Sequence, residues 1–162
     1  MDDQPVEAIR NYRSISDRIS TSGMPTEGQL AKIARAGFEV VLNLDQLNSG
    51  HALPDERGIV EALGLTYRQI PVIWDNPTHE NLVEFREAMA QYADRRVFVH
   101  CVANARVSIF VALYRILELG WARDDAVQGV HSIWEPNETW QRFIESELST
   151  RSRPVGDRAG SG

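Results

Sequence analysis

"VFVHCVANARVSIF", residues 97–110, decides the fold. Val97–His100 ends an apolar run rich in β-branched and aromatic residues, the pattern of a buried strand. From Arg106 the stretch "RVSIFVALYRILELG" is apolar almost all round, which marks a buried central helix that Gly120 stops. Between strand and helix lie the chain's single Cys and a few small residues. A strand that runs through a short loop into a buried helix is half of a β-α-β unit.

The rest of the chain repeats the theme. "MPTEGQLAKIARAG" (24–37) carries a capping box, Thr26 with Gln29, then Leu30, Ile33 and Ala34 at helical spacing, and Gly37 as a stop. "FEVVLNL" (38–44) reads as a buried strand. Asp55 caps a helix through "ERGIVEALG", "TYRQIPVI" (66–73) is a strand, and "WDNPT" (74–78) is a turn. Thr78 starts a helix that runs to about Asp94, with Leu82, Phe85, Met89 and Tyr92 on one face. Further helices are expected near 122–133 and 137–148, and a strand within "IRNYRSIS" (9–16). Residues 1–148 therefore form one domain, and 149–162, poor in large apolar residues, a disordered tail. The expected fold is α/β, with a mostly parallel sheet of about four or five strands and helices on both faces. In such folds ligands sit beyond the carboxyl ends of the strands, which singles out the loops after Leu44, Ile73 and His100.

Composition narrows the function. A net charge of −6 argues against nucleic-acid binding. No apolar run approaches the roughly 18 residues of a membrane span, and the N-terminal stretch lacks the apolar core of a signal peptide. One Cys cannot form an intrachain disulfide, so a cytoplasmic location is expected. His51, His79 and His131 show no metal-ligand spacing, and no cofactor is expected. Trp134 and Trp140 are expected to pack the last helices.

The thiol is placed for chemistry. N–H groups at a helix N-terminus and inward-turned loop amides favour an anion, here a thiolate on Cys101. Arg106 adds a planar cation suited to an oxyanion. Asn104 tolerates the positive φ that a tight nest needs.

"VFVHCVANARVS" resembles the His-Cys-x5-Arg-Ser/Thr signature of cysteine-dependent protein tyrosine and dual-specificity phosphatases. "TSGMPTEGQLAKIARAGFEVVLNL", "YRQIPVIWDNPT" and "SIWEPNETWQRFI" resemble a bacterial subfamily of small phosphatase-like proteins. The resemblance covers roughly residues 9–148. It implies a phosphatase whose substrate is a phosphorylated protein or small phosphomonoester such as phosphotyrosine. Cys101 would be the nucleophile, and the backbone of Val102, Ala103, Asn104, Ala105 and Arg106 the phosphate cradle. His100 and Ser108 would support them, Ser108 by donating to the sulfur. Asp75 would be the general acid, with Asp45 as the alternative. The loop departs from the signature in having four residues between Cys101 and Arg106. That length matches rhodanese-like sulfurtransferases, which carry a persulfide. A phosphate-binding or interaction module without turnover is the third possibility.

Overall fold

A computed structural model of the chain describes residues 5–150. After a short 3-10 turn at Val6–Ala8, five strands alternate with six helices. The strands are β1 (Arg13–Ser14), β2 (Ile19–Ser22), β3 (Val40–Asn43), β4 (Thr66–Gln69) and β5 (Val97–His100). They form one sheet in the order β1-β2-β5-β3-β4, parallel except for the antiparallel edge strand β1. The helices are α1 (Glu27–Arg35), α2 (Glu56–Ala62), α3 (His79–Gln91), α4 (Ala105–Leu117), α5 (Arg123–His131) and α6 (Glu138–Thr150). This is the α/β architecture expected from the strand and helix patterns.

Local chemistry sets the helix starts. Thr26 Oγ1 accepts from the Gln29 N–H at 3.1 Å while Gln29 Oε1 accepts from the Thr26 N–H at 2.9 Å, a reciprocal cap. Thr78 and Asn81 repeat the arrangement at α3. Asp55 caps α2 through the Gly58 N–H.

Strand alternation divides the core into two layers. On one face Val97 and Val99 of β5 join Val40 and Leu42 of β3 against α3, α4 and α6, through Phe85, Phe110, Trp140 and Phe143. On the other, Phe98 and Val41 pack against Leu30 and Ile33 of α1 and Val60 of α2. β5 lies between β2 and β3, with all four residues buried. Its carboxyl end, and the loop that follows, is therefore central in the molecule.

Four elements differ from the sequence expectation. Within "IRNYRSIS" only Arg13–Ser14 pairs in the sheet. The strand β2, "ISTS", carries no apolar alternation, yet it is fully buried and pairs with β5. Its hydroxyls are satisfied one by one: Ser20 meets the Tyr12 hydroxyl, Thr21 accepts from Asn104 Nδ2, and Ser22 donates to the Gly23 carbonyl. The regular part of β4 ends at Gln69, before Pro71, which has no N–H to give a ladder. At the C-terminus α6 continues to Thr150, past the expected limit of 148. The remainder of the expected tail, 151–162, lies outside the described residues. No helix among the described residues is long and apolar enough to cross a membrane.

Trp140 is fully buried against Phe110 and Phe143, and its indole N–H donates to the Trp74 carbonyl at 2.9 Å. Trp140→Ala is expected to lower unfolding free energy by about 3–5 kcal/mol, measured by urea denaturation followed by far-ultraviolet circular dichroism.

Candidate active site

Cys101 follows β5 directly and is buried. Past it each carbonyl of the loop is held by a hydrogen-bond partner. The Cys101 carbonyl accepts from His100 Nδ1 at 3.2 Å, that of Val102 from the Met24 N–H at 2.9 Å, and that of Ala103 from Asn11 Nδ2 at 2.9 Å. In a trans peptide the N–H points opposite to the C=O. The N–H groups of Val102 and Ala103 are thus turned to the other side, and neither finds a hydrogen-bond partner among the described residues. Asn104 has φ 66°, and α4 begins at the next residue. At this first turn the N–H groups of Ala105 and Arg106 have no carbonyl of their own helix to bond.

Neighbouring segments hold the loop. Gly23 lies so close that a Cβ there would sit 2.6 Å from the Val102 carbonyl oxygen. Only glycine allows this approach, and it is what brings the Met24 N–H to Val102. The Asn104 side chain braces the loop from behind, donating to the Asn11 carbonyl at 2.8 Å and to Thr21 Oγ1 at 2.9 Å.

Arg106 is the second residue of α4, buried, and lines the same pocket as Cys101. Nη1 donates to the Val72 carbonyl at 2.8 Å and Nη2 to Asp45 Oδ1 at 3.0 Å. Nε is buried and has no partner among the described residues. The four-residue spacing therefore does not carry the arginine away. The αL turn at Asn104 starts the helix early, and Arg106 still faces inward. Asp45 is itself buried: Oδ1 also accepts from the Gln46 N–H, and Oδ2 accepts from the Ser49 hydroxyl at 2.5 Å. Cys101, Arg106, Asp45, Ser49, His51 and Trp74 share the wall of a pocket of about 520 Å³ with the amide-bearing residues Val102, Ala103 and Ala105.

Behind the pocket, on the α1/α2 face of the sheet, the last residues of three strands form a polar cluster. His100 Nε2 and Glu56 Oε2 are 2.5 Å apart, both residues buried. Asn43 Nδ2 donates to Glu56 Oε1 at 3.1 Å and to the Tyr67 hydroxyl at 3.0 Å. Asn43 Oδ1 accepts from the Asp45 N–H at 2.9 Å, and Gln69 Nε2 donates to the Asp45 carbonyl at 2.9 Å. Burial, and secondarily the Glu56 charge, push the Tyr67 hydroxyl up to about 12.

The loops after Leu44 and His100 supply most of the pocket wall, as their place at the strand ends implies. Asp75 lies elsewhere. It is exposed in the Ile73–Asn76 turn and is not part of the wall, although its neighbour Trp74 is. Ser108 does not direct its proton at the sulfur: its hydroxyl donates to the Ala105 carbonyl at 2.6 Å and accepts from the Trp134 indole at 3.0 Å. Asn104 contributes its backbone turn and side-chain brace rather than pocket surface. Sequence reasoning passed over Gly23, Asn11, Asn43, Glu56 and Trp74. Glu56 reads as an ordinary first-turn acid of α2, and nothing in the linear pattern marks it as a partner of His100.

No protein-family model matches the chain, and neither does any curated protein. Solved structures do. A phosphatase-like protein of the DUF442 group from Shewanella putrefaciens CN-32 is 32% identical, with a TM-score of 0.81 over 90% of this chain and 95% of that one. Tk-PTP in its active form is 22% identical, with a TM-score of 0.71 over 86% and 97% of the two chains. The core catalytic domain of the PP-IP phosphatase SIW14 from S. cerevisiae, in complex with citrate, is 18% identical, with a TM-score of 0.72 over 88% and 86%. The last two, at such identities, share the fold.

The position of Tyr67 has a consequence at alkaline pH. The unfolded chain loses this proton near pH 10.0, whereas the folded protein keeps it to about 12. The folded state then binds more protons, so its stability falls as pH rises between those values. The urea midpoint of the wild type should drop more steeply from pH 10 to 12 than that of Tyr67→Phe; parallel curves would show that the hydroxyl is not so held.

Proposed function

The chain belongs to the cysteine-based protein tyrosine and dual-specificity phosphatase-like family, and from that premise we propose that it hydrolyses phosphomonoesters through a cysteinyl-phosphate on Cys101. One observation supports the reading: Cys101 shares a pocket wall with Val102 and Ala103, whose amides are without partners among the described residues, with the first turn of α4, and with Arg106, whose Nε is buried and unpartnered. A phosphoryl group placed there has donors for its non-bridging oxygens where charge accumulates.

Two steps follow from this arrangement. The Cys101 thiolate donates an electron pair to phosphorus, and the bond from phosphorus to the leaving oxygen breaks as the S–P bond forms. A carboxylic acid gives its proton to that oxygen. The same group, now a carboxylate, takes a proton from water. The water oxygen attacks phosphorus, the S–P bond breaks, and phosphate and the thiolate are released. We assign the acid to Asp75. The two oxygens of Asp45 already accept from Arg106, Gln46 and Ser49. Asp75 is exposed and follows Trp74, which lines the pocket. The indole of Trp74, 5.9 Å from the Arg106 guanidinium carbon, offers a flat surface for an aryl ester such as phosphotyrosine.

The four-residue loop favours a second reading, sulfur transfer through a Cys101 persulfide. One assay pair separates the two: hydrolysis of an aryl phosphate, and transfer of sulfur from thiosulfate to cyanide. Phosphate release that is lost in Cys101→Ser is the expected result; sulfur transfer alone would replace the assignment. Asp75→Asn should slow an alkyl phosphate by about 10²–10⁴-fold and an ester with a good leaving group far less. Equal slowing of both, or none, would exclude Asp75 as the acid.

A further inference from the structure

Both halves of the anion hollow lead back to one carboxyl group. On one side, Glu56 Oε2 meets His100 Nε2 at 2.5 Å, and His100 Nδ1 meets the Cys101 carbonyl at 3.2 Å. That second contact sets the peptide plane that turns the Val102 N–H toward the pocket. A carbonyl only accepts, so Nδ1 must carry a proton to make it. On the other side, Glu56 Oε1 accepts from Asn43 Nδ2, Asn43 Oδ1 accepts from the Asp45 N–H, and Asp45 Oδ1 accepts from Arg106. Glu56 is buried and is not on the pocket wall. It cannot reach a substrate, and packing of α2 alone does not call for a carboxyl at a buried site.

We propose that Glu56 is a positioning residue for the reaction: through His100 it orients the Cys101–Val102 peptide, and through Asn43 and Asp45 it orients the Arg106 guanidinium. As positioning for turnover, this rests on the phosphatase reading given above. The contacts themselves do not. One carboxyl group thus couples the attacking sulfur's surroundings to the cation that receives the oxyanion.

The test uses Glu56→Gln, His100→Gln and the double variant in the full-length protein. Two readouts apply: steady-state hydrolysis of an aryl phosphate, and the rate of Cys101 alkylation by iodoacetamide across pH. Besides the pair itself, the titratable groups facing this region are Tyr67 with Arg57 over its ring, and Asp45, Arg106 and His51 at the pocket. All of these are unchanged in the variants. Each single variant should lower kcat by about tenfold to hundredfold with a much smaller change in KM, and should move the alkylation profile to higher pH. The double variant should lose less than the product of the two single losses, because the Glu56 and His100 effects share the branch that runs through the imidazole. Losses that multiply in the double variant, or a Glu56→Gln protein with wild-type kcat and alkylation profile, would overturn the proposal. A measurement on the wild type guards against misfolded variants: nitrogen-15 NMR of the His100 ring should show a protonated Nδ1 at neutral pH. An unprotonated Nδ1 would overturn it. Alkylation and the ring spectrum need no substrate, so they decide the role of Glu56 even if the protein proves not to hydrolyse phosphate esters.

Discussion

The carbonyls of Cys101, Val102 and Ala103 are each held by a partner, an imidazole, a backbone N–H and a side-chain amide from three separate parts of the chain. Their N–H counterparts have nowhere to point but the hollow around the thiol. Everything chemical about the site depends on this. A loop with even one of these peptides reversed would present an oxygen to the oxyanion, and the attraction would become repulsion. The close seat of Gly23 and the left-handed turn at Asn104 serve that orientation: one admits the Met24 N–H, the other starts α4 in time to add its first turn.

Two buried polar contacts flank the loop, the ion pair of Asp45 with Arg106 and the hydrogen bond between Glu56 and His100. Neither is an economical way to gain stability, since taking ions out of water costs about as much as the pairing returns. What they supply is direction. A guanidinium held at Nη1 and Nη2 leaves Nε as the donor without a partner, and an imidazole held at Nε2 can present Nδ1 in only one place. The apolar layers on either side of the sheet supply the stability and keep water out of the cluster. In that dry setting each polar contact is stronger, and its loss more costly, than it would be at the surface.

Much of this was legible in the linear chain. The Thr26 and Thr78 caps, the apolar strands β3 and β5 and the all-round apolar α4 follow from local propensity and periodicity. Local chemistry alone dictates them, and the structure contains them. The positive φ of Asn104 was readable from residue type and position. The strand β2 was not, because "ISTS" is buried on hydroxyls whose partners lie outside the strand, at Tyr12, Asn104 and Gly23. Nor could the direction of Arg106 be derived from its spacing to Cys101, since it depends on where the helix starts.

The sequence by itself determined the alternation of strands and helices from α1 onward, the site of the thiol at a strand end, and the small-residue loop with its arginine. These are properties of neighbours in the chain. The tertiary structure decided which side chains complete the site. Glu56 reaches His100 across 44 residues, Asp45 reaches Arg106 across 61, and Asn11 reaches Ala103 across 92. Parallel strands bring their carboxyl ends to one edge whatever lies between them, so partners meet there that share no local pattern.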